Sequence, residues 1–443
     1  MGQRSRDSGD AGPWSRFGIT AGGAALGGLV GGFVVVGVTL VLKAGIDFAS
    51  RQGTLFAVVV PVLGLVVTEL VLQEFGKSEG AAGSRAKPWR LFPEGAIRSD
   101  ISRDVVDCAG EEERFPWRLA PIRTLAILAT VGSGAAMGTE APAAYLGEAA
   151  GAYLGDHGRR WRRFLRPAAL AGGAAGVAAL MGIALVGTAF ILELGRRRRA
   201  PVNTDRLIAA AIGGLIGWGI DRVFGLSLIN LVVPKVAPDT FVHAAATALA
   251  IGAASGAISS LAAMAVYQAK GWSARPVVRL AIGALATIAT TLLLVRIAAP
   301  AAAVGPGGGA ILWAENVNAL PLTLLAVCFL RAVATTAAVA AGGCGGGVIP
   351  VLAVGDLAGR VFAPLFGVGS DLAGAAGAAG GIAGGYRLPL TAVAMVLGVG
   401  GPPRAMLTSL VTVAVAFASG KGAESAVQKL KTLRPAPRQA PVH

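Results

Sequence analysis

Three cysteines in 443 residues, Cys108, Cys328 and Cys344, are too few and too scattered for a disulfide framework. Histidine is as scarce, and His157, His243 and His443 lie far apart, so metal-ligand spacing is missing and no metal or other cofactor is expected. Charge is the third shortage. Only 14% of residues are charged, against roughly 25% in soluble domains, which leaves too little charge to cover a globular surface. Acidic residues are rarer than basic ones, 24 against 39, for a net charge of +15. That balance invites a nucleic-acid reading, but its placement argues otherwise. Arg159, Arg160, Arg162, Arg163 and Arg166, then Arg196 to Arg199, flank the apolar run 167–195, as cytoplasmic loops of a membrane protein do. No nucleic-acid partner is expected, and no enzymatic chemistry is indicated.

What is present is apolar. Hydrophobic residues make up 54% of the chain and the mean hydropathy is +0.66. Charge-free stretches recur at 17–42, 53–68, 167–192, 244–269, 280–295 and 405–420. A spanning helix needs about 20 such residues, so the chain reads as an all-α polytopic membrane protein in a lipid bilayer. The 65 glycines suit that solvent, because small residues let helix backbones approach closely.

The sequence divides into a cytoplasmic N-terminal segment 1–16, a transmembrane domain 17–430 and a cytoplasmic tail 431–443. The apolar run after residue 16 is too long for a signal-peptide core and reads as a first membrane helix. Residues 17–42 and 53–75 read as a helix pair joined by a loop from Lys43 to Gln52. A polar excursion follows, Gly76 to Arg118, with the acidic run Glu111 to Glu113. If both arginine clusters are cytoplasmic, 167–195 is a re-entrant helix pair turning at one of its glycines. Apolar segments follow at 207–220, 223–234, 241–269 and 276–295. Ile297 to Ala314, broken by prolines and a triple glycine, is a loop or an interrupted helix. A helix over 316–342 and a last apolar segment at 403–420 precede a tail beginning at Lys421.

Two halves, about 53–199 and 241–420, carry a repeat. Pro142-x4-Gly147-Glu148-x-Ala150-Gly151 recurs as Pro350-x4-Gly355-Asp356-x-Ala358-Gly359, and Leu170–Leu192 aligns without gaps on Ala375–Leu397. Inverted repeats with discontinuous helices hold their substrate near the midplane, at broken helix ends.

The chemistry concentrates at those ends. Gly138-Thr139-Glu140-Ala141-Pro142 sets one carboxylate among glycines, just ahead of a proline suited to a first helical turn. Gly346-Gly347-Val348-Ile349-Pro350 is its second-half counterpart. Helix N-termini carry unpaired N–H groups and about half a positive charge. Two of them aimed at the midplane form an anion site without any buried lysine or arginine. The amides near Gly347 and Val348 are the expected ligands. Glu140, itself an anion at a helix start, would fill the anion position when ionised and leave it when protonated, acting as gate and proton acceptor; the alternative is a carboxylate that merely caps a helix. Ile127–Val131 followed by Gly132-x-Gly134-x3-Gly138 mimics a dinucleotide fingerprint, but Pro142 interrupts the helix that motif needs.

These residues resemble the CLC family of chloride channels and proton-coupled chloride antiporters. Gly138–Pro142 is similar to its Gly-(Arg/Lys)-Glu-Gly-Pro motif, Gly346–Pro350 to its Gly-x-Phe-x-Pro motif with Val348 for phenylalanine, and Arg387-Leu388-Pro389-Leu390-Thr391 to its Arg-x-Pro-Leu-Thr stretch. The resemblance covers roughly residues 17 to 430. It implies that Glu140 is the gating glutamate, that Gly138, Thr139, Gly346, Gly347, Val348 and Ile349 surround the anion, and that the protein is a homodimer. Two ligands depart from the pattern. The family's Gly-Ser-Gly-Ile-Pro is missing, with Ser84 or Arg90 at best in its place, and the central tyrosine position aligns on Glu424. The antiporters' internal proton glutamate aligns on Leu194, one residue after Glu193. Glu193 is then either a substitute on the proton pathway or a surface carboxylate paired with Arg196 or Arg197.

The expected function is transport of chloride or a similar monovalent anion across the plasma membrane, gated by Glu140 and channel-like rather than proton-coupled. The alternatives are a chloride/proton antiporter on the same fold and a non-conducting member with a structural role.

Overall fold

Proline and short capping side chains set the helix starts. Pro276, Pro321 and Pro389 occupy first-turn positions where the missing N–H costs nothing, and the Asn203 and Thr240 side chains accept from the backbone N–H of Arg206 and His243. The computed structural model describes residues 13–80, 99–110, 115–157, 165–229 and 231–433. Its first half holds α1 (Pro13–Arg51), α2 (Thr54–Gly80), α3 (Ser102–Gly110), α4 (Ala120–Thr130), α5 (Glu140–Asp156), α6 (Leu165–Met181), α7 (Ala184–Arg197) and α8 (Thr204–Phe224). The second half begins with α9 (Phe241–Lys270), α10 (Pro276–Ile297), α11 (Pro300–Ala303), α12 (Gly308–Asn316) and α13 (Pro321–Ala340). It ends with α14 (Val348–Arg360), α15 (Ala363–Phe366), α16 (Ser370–Gly385), α17 (Pro389–Val399) and α18 (Pro403–Leu433). Among the described residues seven helices, α1, α2, α8, α9, α10, α13 and α18, are long and apolar enough to cross a membrane.

The repeat is visible in how helices cross. A Cβ built on Gly147 of α5 would lie 2.0 Å from the Gly172 carbonyl oxygen of α6, and one on Gly151 would lie 2.2 Å from that of Ala168. In the second half, Gly355 of α14 meets the Gly377 carbonyl of α16 at 2.4 Å, and Gly359 that of Ala373 at 2.2 Å. Each pair maps onto the other by the sequence offsets of the repeat. The two half-span helices of each repeat therefore cross backbone to backbone, at positions where only glycine fits. The run 167–195 breaks at Gly182, whose φ of +66° favours glycine, into α6 and α7. Ile297–Ala314 is an interrupted helix, α11 and α12.

Three expectations fail. The supposed loop Lys43–Gln52 is mostly helix, because α1 runs on to Arg51. Its charges do not break it: Lys43 donates to the Gly225 carbonyl at 2.6 Å, and Arg51 pairs with Asp47 one turn back at 3.2 Å. The apolar segment 223–234 is not a helix. Gly225 (φ +59°) ends α8, and the chain then runs without regular structure to Thr240 among the described residues. The tail does not begin at Lys421, since α18 continues as helix to Leu433. Ser84, Arg90, Glu111–Glu113 and Arg159–Arg163 lie outside the described residues.

Candidate functional site

The loops ahead of α5 and α14 meet in a two-hydrogen-bond bridge. The Gly138 N–H donates to the Gly346 carbonyl and the Gly346 N–H to that of Gly138, both at 2.7 Å. The two residues are 208 apart, the offset of the proline repeat, so the pseudo-twofold axis relating the halves runs through this bridge. Glycine is required because the adjoining space is occupied. A Cβ on Gly346 would lie 2.0 Å from Glu140 Oε1, and one on Gly138 would lie 2.1 Å from Oε2.

Glu140 opens α5 and is 2% exposed. Its Oε1 accepts a 2.6 Å hydrogen bond from the backbone N–H of Val348, the first residue of α14. The carboxylate thus sits where the unpaired amides and dipole of α14 attract an anion, and Oε1 stands in for that anion. Among the described residues Oε2 has no hydrogen-bond partner. Thr139 precedes it as the N-cap of α5 without capping, and its buried hydroxyl is likewise unpartnered among the described residues.

A cavity of about 600 Å³ ends on Glu140. Gly347, Val348, Ala141, Phe190, Leu194 and Leu388 wall its inner part, and Arg103, Arg197, Arg198 and Lys270 stand toward its arginine-rich mouth with Asp100. Lys270 pairs with Asp100 at 2.8 Å, and Arg198 and Arg103 pair with Asp107. Burial pushes the Asp100 carboxyl up, but the Lys270 charge and the hydrogen bonds from Lys270 and Ser102 outweigh it and hold the group below its ordinary range. Two carboxylates against four cations leave the mouth positive, which concentrates anions there.

The structure adds a residue that the sequence reading passed over. A Cβ on Gly347 would lie 2.0 Å from the Tyr386 hydroxyl, which places that hydroxyl at the N-terminus of α14 on the cavity wall. Only four tyrosines exist in the chain, and this one adjoins the Arg387–Thr391 motif, a signal available in the sequence.

Of the anion-site residues expected from the sequence, Gly347, Val348 and Glu140 line the cavity, and Gly138 and Gly346 form the bridge behind them. Thr139 and Ile349 are buried next to Glu140 and Val348 in the chain. Glu424 is not brought to the site. Because α18 stays helical past it, Glu424 remains on a helix flank, its side chain 44% exposed and paired with Arg387 at 2.8 Å. Glu193 is neither at the surface nor on the cavity wall. Buried at 7% exposure, it accepts from the Leu390 N–H, the Thr391 N–H and the Thr391 hydroxyl at 2.7–3.0 Å, closing the N-terminus of α17. Leu194 is the neighbour that faces the cavity. Residues 127–130 are helical, not the strand a dinucleotide fingerprint needs.

Two inverted repeats whose helices α5 and α14 both begin at one shared buried carboxylate, Glu140, define a membrane transporter of the discontinuous-helix type. The sequence model described as "Voltage gated chloride channel" matches residues 89–421, and the chain belongs to that family. No curated protein sequence matches it. Among solved structures, a slow cyanobacterial Cl⁻/H⁺ antiporter is similar with a TM-score of 0.72 at 18% identity, covering 96% of this chain and 100% of its own. A CLC-type fluoride/proton antiporter gives 0.71 at 21% identity, with 93% and 98% covered. A eukaryotic CLC transporter gives 0.68 at 14%, with 93% and 74% covered. At these identities the likeness establishes the fold.

Proposed function

We propose that the protein conducts chloride or a similar monovalent anion across the cell membrane, with Glu140 as the gate. The observation that carries this reading is the 2.6 Å contact of Glu140 Oε1 with the Val348 N–H, an anion position filled by the protein's own carboxylate. Anions gather at the positive mouth and descend past Arg197 and Tyr386. When Glu140 is protonated or displaced, they bind the amides of Gly347 and Val348. The arginine-rich mouth faces the cytoplasm by the positive-inside rule. Leu194 on the cavity wall, rather than a carboxylate, favours the channel-like form. The antiporter form keeps one specific support, the fold shared with Cl⁻/H⁺ and F⁻/H⁺ antiporters. The buried polar site argues against a non-conducting structural role. We carry the homodimer and the plasma membrane from the family resemblance, and 17–430 as the transmembrane domain.

Efflux of chloride, fluoride or nitrate from liposomes under a valinomycin clamp tests the reading. Flux is expected to rise as pH falls in the native protein and to lose that dependence in Glu140→Gln. No efflux of any of these anions refutes anion transport, and an unchanged pH profile in Glu140→Gln reduces Glu140 to a helix cap.

A further inference from the structure

The pseudo-twofold axis that pairs Glu140 with Val348 also pairs Glu148 with Asp356, and there the halves differ. Asp356 is buried but accepts from Arg360 at 2.6 Å, and Arg360 bonds in turn to Glu315 and Ser370. The residue matching Arg360 in the first half is Ala152. Glu148 is fully buried, and among the described residues neither of its oxygens has a hydrogen-bonding partner by geometry. The thiol of Cys108 on α3 lies beside it. On α6, Gly173 makes room for it, since a Cβ there would lie 2.8 Å from Glu148 Cγ.

The charged groups on elements packed against α5 are engaged elsewhere. From α3 and α4, Asp104 pairs with Arg123, which also lies over the Tyr145 ring at 5.1 Å, and Asp107 pairs with Arg198. Arg118 stacks on Trp117 beside α4, and α1 turns Lys43 to the Gly225 carbonyl and Asp47 to Arg51. On α14, Asp356 and Arg360 hold each other. From α6, the described side chains facing α5 are alanine, glycine and aliphatic. A carboxyl group in such surroundings carries a proton, because an unpaired charge there costs several kcal/mol or more.

Glu148 is also not alone. Five buried polar atoms that meet no hydrogen-bond geometry among the described residues belong to α5 or its N-cap: Thr139 Oγ1, Glu140 Oε2, both oxygens of Glu148 and Tyr145 Oη, whose polar neighbour is the Arg123 guanidinium. Tyr145 and Glu148 are three apart on one helix and therefore neighbours. Glu140 and Glu148 are eight apart, about 12 Å along the axis, too far for direct transfer. Buried polar atoms in a row without protein partners are where folded proteins keep ordered water. α3, which faces Glu148 with Cys108, lines the cavity mouth with Ser102, Arg103, Val105 and Val106.

We infer that Glu148 is a second proton-binding residue, loaded from the arginine-rich face past α3, which exchanges protons with Glu140 along α5. The transfer balances simply. The Glu148 O–H gives its proton to water bound at Tyr145, that water chain protonates the Glu140 carboxylate, and Glu148 is reprotonated from the cytoplasm. Glu140, now neutral, leaves the Val348 amide and an anion takes its place. Proton movement is thereby coupled to anion movement without any carboxylate at position 194. The inference rests on Glu140 being the gate, and it takes the proton-coupled form of the proposed function over the channel-like one that Leu194 alone favours.

The test uses the full chain in liposomes, with an imposed chloride or fluoride gradient, following anion flux and external pH together. Native protein is expected to move protons against their gradient. Glu148→Gln is expected to lower the proton-to-anion ratio at least tenfold while anion flux falls no more than threefold; Tyr145→Phe lowers the ratio less. Where Glu148→Gln does not fold, Glu148→Asp keeps the acid but withdraws it by one methylene, and a severalfold lower ratio is expected. An unchanged ratio in the folded Glu148 variant overturns the inference. So does native protein that passes anions and no protons, a result that leaves anion transport standing. Absence of anion flux altogether refutes the transport reading itself, and this inference with it.

Discussion

Gly346→Ala puts the gate to its most direct structural test, because the methyl group it adds meets one side chain. The nearest heavy atoms to that Cβ are Glu140 Oε1 at 2.0 Å, Cδ at 2.4 Å and Oε2 at 2.8 Å, with no backbone atom among them. Real Cβ atoms do not approach so closely, so either the bridge or the carboxylate must move. The bridge is held by two 2.7 Å backbone hydrogen bonds, whereas the Glu140 side chain has three rotatable bonds and one hydrogen bond. The carboxylate leaves. What it gives up is one charge-assisted hydrogen bond to Val348, about 1.5–3 kcal/mol, which at about 1.4 kcal/mol per decade is about 10- to 140-fold in site availability. Anion efflux at neutral pH is expected to rise by about that factor, with its pH dependence lost. The double variant Gly346→Ala/Glu140→Ala should conduct like Glu140→Ala alone, since the three atoms nearest the methyl are then gone. Efflux from valinomycin-clamped liposomes measures all three. If Gly346→Ala slows flux, and slows it equally in the Glu140→Ala background, the methyl blocks the path itself and the gate assignment is wrong.

Tyr386→Phe removes a hydroxyl beside the α14 amides and is expected to weaken anion binding about fivefold by calorimetry, the effect of one hydrogen bond of about 1 kcal/mol. Gly172→Val and Gly377→Val each force a side chain into a carbonyl 2.1–2.3 Å away, and overpacking of about 1–3 kcal/mol should lower thermal stability similarly in both, by size-exclusion-monitored melting. Glu193→Gln leaves the α17 start with a weaker acceptor. It should lower the melting temperature by an amount matching about 1 kcal/mol while the proton-to-anion ratio stays within experimental scatter. Lys270→Gln removes one mouth cation at the cavity. The expected loss is about twofold in flux at low salt, vanishing near 1 M salt where the Debye length falls to about 3 Å.

The membrane architecture was legible because lipid enforces it: long charge-poor stretches belong in the bilayer, as spans or, over 167–195, as a broken helix pair. The meeting of the halves was legible through one spacing, Pro142-x4-Gly147 against Pro350-x4-Gly355, since glycines five apart from a helix-starting proline encode both the start and the crossing. What composition hides is connection. Nothing in Lys43–Gln52 distinguishes a loop from helix that merely reaches the polar boundary, because its charges are satisfied by Gly225, Ser227 and an i,i+4 pair that sequence cannot pair across 180 residues. The surface alternative for Glu193 fails for a similar reason. Its three donors belong to Leu390 and Thr391, nearly 200 residues away, and only the docking of α7 against α17 brings them together. Glu424 aligns on a side-chain ligand position, but α18 runs on past it as one helix and its carboxylate pairs with Arg387 instead of reaching the cavity.

The asymmetry between the halves bears on what the site can do. A duplicated fold begins with equivalent positions, and each buried carboxylate on α5 and α14 poses the same desolvation cost. The second half meets it with Arg360, within hydrogen-bond reach of Asp356, Glu315 and Ser370, a closed arrangement with no oxygen of Asp356 left over for exchange. In the first half, Ala152 stands where the arginine would be and Glu148 remains unpaired by any cation among the described residues. Packing does not demand this, because α5 and α6 cross on the same glycines as α14 and α16. An acid that serves only to fill space would be replaced by a leucine or neutralised by an arginine without loss. Keeping it acidic and unpaired on the helix that begins with the gate makes sense if a proton travels there. Introducing the missing partner tests this: Ala152→Arg should pair with Glu148 as Arg360 pairs with Asp356. Its expected effect is to abolish proton movement while the Val348–Glu140 gate continues to pass anions, and a native proton-to-anion ratio in a folded Ala152→Arg protein would show that Glu148 was never exchanging its proton.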